Sequence, residues 1–444
     1  MKQIVKQNQM KSLVMILCIL LFTGVIGTVR AAPMFDQVQE QDTQSYAQYK
    51  GEVVDAQTNK PLVFANLTVD DINISTVTNT EGEFLLKVPK STNEGNVQVS
   101  FLGYETRLIP LSQLKENNNR IALDISITEL DEVNITIPKD AVSLVKETLR
   151  KKGENYFDDP TLMTAFYRET IKKRKKNVSL SEAVVNIYKA PYTSNKRDAV
   201  QLFKARKSTD YSKLDTVALK LQGGPFNALF VDIMKYPEYI FTDENIWDYV
   251  FTFDRSTRIN DKLIYVVNFH QRRDILDPLY TGKLYIDAEK KILTSAIYSL
   301  NITNKDLASR MFVRKKPRNA KVYPTEVAYR VDYLEKNGRW YYGYSNVQLE
   351  FKIDWDKRLF NSVYSMTCEM AVTDWEKSLA GEFPNFKNRI KSTIILTDEA
   401  IGFSDPDFWG EYNIIEPEKS IESAIKKIQR QLKKVKTDGG ESAP

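Results

Sequence analysis

The chain has 444 residues, with 63 Lys and Arg against 58 Asp and Glu, a formal net charge of +5 and a single histidine. That length allows two or three domains and a core large enough to stand without staples. One histidine and two cysteines exclude zinc sites built from Cys and His, and the modest charge gives no global case for nucleic-acid binding.

The first residues read as a targeting segment. Lys2, Lys6 and Lys11 precede an apolar run from Ser12 to Val29, and Val29 and Ala31 suit cleavage after Ala31. This predicts a secretory signal peptide over 1–31; a single membrane anchor is the competing reading of the same residues. Cys18 follows Leu17, which does not suit a lipoprotein signal. Removing 1–31 takes away Lys2, Lys6, Lys11 and Arg30 and brings the formal charge down to +1. It also leaves Cys368 as the one cysteine, so no intrachain disulfide is expected. No later run is apolar enough for a membrane helix, so a soluble or peripheral protein is expected.

Residues 32–48 are polar and Gln-rich and read as a flexible leader. From 49 to 128 short strands alternate with turns. "VFANLTVDD" sets Ala65, Leu67 and Val69 on one face. "NTEGEFLLKVP" sets Phe84, Leu86 and Val88 inward, with Lys87 on the open face. Val97, Val99 and Phe101, then Ile121, Leu123 and Ile125, repeat the pattern, which predicts a small antiparallel sandwich. A connector over 129–163 carries Val133, Ile135 and Ile137, then a helix capped by Asp140 and stopped at Gly153. Residues 164–415 read as a large, strongly curved antiparallel sheet or partial barrel. "KLIYVVNFH" alternates, a hairpin turns at Asp287–Lys291, and Asn337-Gly338 joins two alternating strands. "LQGGPFN" reads as a plain turn. Residues 416–437 predict an amphipathic helix with Ile421, Ile425, Ile428, Leu432 and Val435 on one stripe, and 438–444 a tail.

Three stretches carry a family resemblance. "GEVVDAQTNKPLVFANLTVDD" holds Gly51, Val53, Asp55, Pro61, Ala65 and Val69. "TNTEGEFLLKVP" holds Thr80, Gly82 and Phe84. "VQVSFLGYET" holds Ser100, Gly103 and Tyr104. In order and spacing they resemble the carboxypeptidase-regulatory-like domain of Bacteroidota envelope proteins, with Glu81 where that pattern usually has Asp. The resemblance implies a seven-stranded Greek-key sandwich and an association with the outer membrane, where the domain often precedes TonB-dependent receptors. It implies no peptidase activity. The remainder, with "DPDFWGEYNIIEPEKSIESAI", looks like the body that follows this domain in short, non-receptor proteins. The curved sheet is similar by analogy to the half-barrels of periplasmic lipoprotein carriers.

Few residues suggest chemistry. His270 sits at a strand end beside Gln271, Arg272 and Arg273, and reads as a structural or surface histidine rather than a catalytic base. Asp405/Asp407 and Asp354/Asp356 flank Pro406 and Trp355. They read as turn residues, with a carboxylate hydrolase as the sharper alternative. The runs Lys172–Lys176 and Arg314–Lys321 read as solvated tips or as contacts for anionic head groups. Tyr329, Tyr333, Trp340, Tyr342, Tyr344 and Trp409 are the candidate ligand or partner contacts, weighed against core packing; Trp340, Tyr342 and Tyr344 share one face by alternation. The expected function is therefore a non-catalytic exported binding or scaffolding protein, in the periplasm or at the outer membrane. No cofactor or metal is expected, and the partner is an envelope protein, a glycan or a lipid. The alternatives are a carbohydrate-binding protein or carboxylate-based hydrolase, and a carrier of a hydrophobic ligand in the half-barrel.

Overall fold

Alternation at period two accounts for most of the chain. The computed structural model describes residues 45–92, 94–126, 128–129, 140–174, 176–209, 221–254, 256–259, 262–313, 316, 318–356, 359–377, 389–402 and 408–419. The signal peptide, the residues Val133, Ile135 and Ile137, the acids Asp405 and Asp407, residues 420–437 of the expected C-terminal helix and the tail lie outside these; residues 416–418, expected to open that helix, are not helical.

Seven strands open the chain: β1 (Tyr46–Asp55), β2 (Asn66–Val69), β3 (Ser75–Val77), β4 (Glu83–Pro89), β5 (Asn96–Ser100), β6 (Arg107–Pro110) and β7 (Asn119–Leu123). They form two sheets, ordered β4-β1-β7 and β3-β2-β5-β6. β1 pairs β4 antiparallel and β7 in parallel. Between the sheets lie Val53, Leu67, Val69, Phe84, Leu86, Val88, Val97, Val99, Ile121 and Leu123. This is the expected two-sheet sandwich, except that β1 and β7 run in parallel where an antiparallel set was expected. The turn into β4 is built by Asn79, whose Oδ1 accepts the backbone N–H groups of Glu81 and Glu83, both at 2.9 Å. Gly82 holds φ +75° there, and a Cβ on it would lie 2.7 Å from Pro61; only glycine fits.

The rest builds one open sheet. Its strands are β8 (Thr128–Glu129), β9 (Thr161–Lys173), β10 (Lys176–Lys189), β11 (Ala199–Thr209), β12 (Tyr249–Phe253), β13 (Thr257–Ile259), β14 (Lys262–Gln271), β15 (Tyr280–Asp287), β16 (Ile292–Leu300), β17 (Ala320–Lys336), β18 (Arg339–Trp355), β19 (Ser362–Lys377) and β20 (Ile401–Gly402). The order is β20-β11-β10-β9-β19-β18-β17-β16-β15-β14-β13-β8, with β12 also on β14. Hairpins join most neighbours, and β19 returns to lie against β9. Asn337 and Gly338 take φ 52° and 76° between β17 and β18, the two-residue turn that such dihedrals favour.

Helices are few. Asp140 caps α1 (Ala141–Arg150), its Oδ1 accepting the Ser143 N–H at 2.6 Å. The helix ends at Arg150, before Gly153, contrary to the sequence expectation. Gly153 instead lies inside the single turn α2 (Lys152–Asn155), where a Cβ would come 2.6 Å from Thr193. "LQGGPFN" is also more than a turn, because Gly224 leads into α3 (Pro225–Leu229), started by Pro225. α4 (Lys305–Phe312) and α5 (Leu396–Glu399) complete the α-helices among the described residues.

One face of the sheet is filled by the chain itself. Phe226, Leu229, Val231, Met234, Tyr236 and Phe241 pack with Tyr167, Val185, Val267, Tyr333 and Tyr342 in the main core. The other face receives the sandwich. Residues 45 onward form a single compact unit, and a third core unites Val77 and Leu85 of the sandwich, Phe166, Val184, Tyr344 and Ala371 of the sheet, and Trp409, Ile414 and Ile415. Residues 408–418 thus run as a strap between the two bodies. β4 is consequently buried on both faces, with Leu85 5% and Lys87 6% exposed. The sequence expectation of an open face at Lys87 fails because its cover is supplied from the far end of the chain.

Candidate functional site

The six aromatic candidates do not form a platform. Tyr333, Tyr342, Tyr344 and Trp409 are buried, and Tyr329 and Trp340 are half-buried. The expected shared face of Trp340, Tyr342 and Tyr344 is broken at Gly343. The register slips there, pairing Asp332 with Tyr344 and Tyr333 with Tyr342. A Cβ on Gly343 would come 2.4 Å from Leu334. An extra residue in one strand turns the side chains beyond it to the opposite face. Tyr342 therefore enters the main core while Tyr344 stacks on Phe64 of the sandwich, centroids 4.9 Å apart. Tyr329 stacks on Tyr298 at 5.0 Å. Tyr333, Trp340 and Tyr344 do meet around a crevice of about 150 Å³ beside Arg330 and Asp332, below the usual size of a ligand pocket.

Two buried charge clusters lie on the sheet, one in the main core and one on the face that receives the sandwich. In the main core the Lys189 ammonium donates to Asp198 Oδ2 at 2.7 Å and Asp232 Oδ2 at 2.6 Å. Tyr192 and Tyr333 donate their hydroxyls to Asp232 at 3.1 and 3.0 Å. Burial alone would lower the Lys189 pKa, but the two carboxylates outweigh it and raise it. On the sandwich side Arg168 donates Nε to Glu182 at 2.8 Å, Nη1 to Glu369 at 3.2 Å and Nη2 to the Ile415 carbonyl of the strap at 2.6 Å. Arg206 Nε takes the other Glu182 oxygen at 2.9 Å. These side chains are sealed from solvent, so they position rather than react.

The accessible chemistry lies where sandwich, strap and sheet meet. Ser45, Tyr46, Lys87, Asp374, Glu411 and Tyr412 are among the residues lining a cleft of about 420 Å³, within the range of small-ligand sites. Asn413 anchors its floor: its Oδ1 accepts the Lys87 N–H at 2.7 Å and its Nδ2 donates to the Lys87 carbonyl at 2.9 Å. The Lys87 ammonium donates to the Gly410 carbonyl and sits 5.0 Å from the Tyr46 ring centre. Asp374 follows a register slip in β19 after Val372. Its carboxyl stays reachable by solvent, yet the cleft walls desolvate it and push it up to about 6. The cleft is therefore lined by two tyrosines, serine and threonine hydroxyls and two carboxylates.

Asp354 and Asp356 lie elsewhere, at the end of β18 and in the turn after it; Asp356 donates its N–H to the Asn319 carbonyl at 3.1 Å. His270 is exposed, with Nδ1 3.0 Å from the Gln271 carbonyl oxygen. Among the described residues no group of three His, Cys, Asp or Glu could hold a metal. Asp374 and Glu411 escaped sequence reading because nothing local marks them: one follows a bulge and the other comes from the strap.

The sandwich motifs converge in space. The Asp55 carboxylate accepts the Thr58 N–H at 2.6 Å and the Tyr104 hydroxyl at 2.7 Å, tying the first motif to the third, while Gly82 of the second closes on Pro61. The hydrogen bonds from Thr58 and then Tyr104 hold the Asp55 carboxyl well below the ordinary range.

Residues 49–135 match the family model of the CarboxypepD_reg-like domain.

The CarboxypepD_reg-like domain is thus the module whose β3 and β4 dock on the sheet, and it brings Lys87 to the cleft, while Tyr46 comes from the part of β1 just before the matched residues. No curated protein matches the chain in sequence. Among solved structures, a DUF1329 family protein from Desulfovibrio piger is 8% identical at a TM-score of 0.23, over 55% of this chain and 95% of its own. Lipovitellin is 6% identical at a TM-score of 0.25, over 54% of this chain and 28% of its own. Likenesses this distant bear on neither the site nor the function.

Proposed function

We propose that this chain is an exported, non-catalytic binding protein of the cell envelope, whose junction cleft holds a saccharide. The cleft carries the reading: Tyr46 and Tyr412 supply ring surface, and Asp374 and Glu411 supply the polar partners that orient sugar hydroxyls. The CarboxypepD_reg-like domain supports a binding role. The leader with Lys2, Lys6 and Lys11 supports export. The filled face of the sheet favours this over a carrier that encloses an acyl chain, since residues from 221 to 241 already occupy it.

A second reading rests on Asp374 and Glu411 lining one cleft. A carboxyl held near 6 is suited to donate a proton at neutral pH, so slow glycoside hydrolysis is the enzymatic alternative. Calorimetric titration with soluble peptidoglycan fragments and with oligosaccharides released from envelope polysaccharide separates the readings. Saturable binding, weakened at least tenfold by Tyr412→Ala and without new reducing ends after a day, is expected. New reducing ends that vanish in Asp374→Asn would establish the hydrolase. Absence of binding to both classes would overturn the saccharide reading.

A further inference from the structure

The runs Lys172–Lys176 and Arg314–Lys321 are far apart in sequence, yet strand pairing brings their described residues to one end of the sheet. β9 turns into β10 with Lys173 opposite Lys176. Beside it Lys173 pairs with Tyr364 at the start of β19, and the Arg174 N–H donates to the Val363 carbonyl at 3.0 Å. On the other side Ala320, at the start of β17, pairs with Trp355 at the end of β18, next to the Asp356–Asn319 hydrogen bond. The connection from β18 to β19 therefore emerges between the two basic segments.

At that position stand Leu359 and Phe360, 90% and 73% exposed, with Leu276 the most exposed large hydrophobic side chains among the described residues. Arg174 and Lys176 on one flank, and Lys316, Arg318 and Lys321 on the other, are exposed as well. Against them Asp356 is the one exposed carboxylate among the described residues of these three ends. Two adjacent apolar tips in open water cost free energy unless something receives them. A polyanion alone would use the cations and leave Leu359 and Phe360 wet. An anionic bilayer surface uses both, with the apolar pair entering the acyl boundary and the cations meeting head groups.

We propose that this end of the sheet docks the protein peripherally on an anionic lipid surface, with Leu359 and Phe360 inserted and the two basic segments flanking them. The surface lies on strand ends remote from the cleft-lining residues of the strap and sandwich, so it does not depend on the saccharide reading.

Flotation of the full-length protein with vesicles tests it, using phosphatidylcholine alone and phosphatidylcholine with one-third phosphatidylglycerol. The expected result is binding to the anionic vesicles only, weakened as salt is raised past roughly 0.1 M. Leu359→Ser/Phe360→Ser should lower that binding at least tenfold with an unchanged thermal melt, since both side chains are already in water. Arg318→Gln and Lys321→Gln should each lower it roughly fivefold. Retention on a heparin column should fall in the charge variants but not in Leu359→Ser/Phe360→Ser. No flotation of the wild type would overturn the proposal. So would undiminished flotation of the Leu359→Ser/Phe360→Ser variant, which would make this end a site for soluble polyanions instead.

Discussion

Glu169 lies wholly inside the main core on β9, cross-strand from Cys368, and among the described residues its side chain is hydrogen-bonded by the Tyr167 hydroxyl, which donates to Oε2 at 3.0 Å. Burial without a cationic partner pushes its carboxyl from 4.5 up to about 8. Between those values the native state holds a proton that the unfolded state has lost. Stability therefore falls as pH rises through that window; the full advantage is present below 4.5 and is gone above 8. Each tenfold in proton affinity is about 1.4 kcal/mol, so the loss from pH 4.5 to 8 is on the order of 4 kcal/mol. Glu169→Gln keeps the shape and the Tyr167 contact but cannot ionise. Urea unfolding at pH 5, 6, 7 and 8 should show the wild type losing stability relative to the variant, with Glu169→Gln the more stable protein at pH 8. A stability difference between the two that does not change with pH would refute the assignment of a protonated carboxyl to the native core.

The packing sets four further outcomes. Phe84→Ala should cost about 3–5 kcal/mol in urea melts, and Lys87→Ala about 1–3 kcal/mol, because the Gly410 carbonyl loses its donor inside the junction; a neutral Lys87→Ala would mean that the strap does not seat on β4. Cys368 should resist alkylation by iodoacetamide in the native protein and react after unfolding, since burial and the neighbouring Glu169 push its thiol up to about 12; rapid native labelling would contradict its enclosure. Lys189→Met should destabilise by about 3–5 kcal/mol by leaving Asp198 and Asp232 buried without their cation, and Lys189→Met/Asp198→Asn/Asp232→Asn should recover much of that loss on the same chemical melt.

Local rules carried the sequence reading a long way. The Asn79–Gly82 turn, the inward Phe84, Leu86 and Val88, and the Asn337-Gly338 hairpin are all set by residues within a few positions of one another, and the structure builds each as its local chemistry dictates. What escaped was decided at long range. Lys87 looks like a solvent-facing residue until Asn413 arrives from 326 positions downstream. Tyr344 looks like a partner of Tyr342 until Leu334 forces a glycine and a register slip between them. Asp374 draws its altered acidity from the walls of a cleft to which three distant segments contribute, and no period-two pattern records that.

The strap also imposes an order on assembly. A sandwich emerging first during synthesis would present Val77, Leu85 and the free edge of β4 with nothing to cover them, and unpaired edges of this kind recruit other chains. Its cover arrives only with Trp409, Asn413 and Ile414, after the whole sheet has been made. Closing so long a loop is slow compared with forming the local hairpins. The nascent protein therefore passes through an interval in which a finished domain waits with one sticky side, exposed to association until the strap arrives.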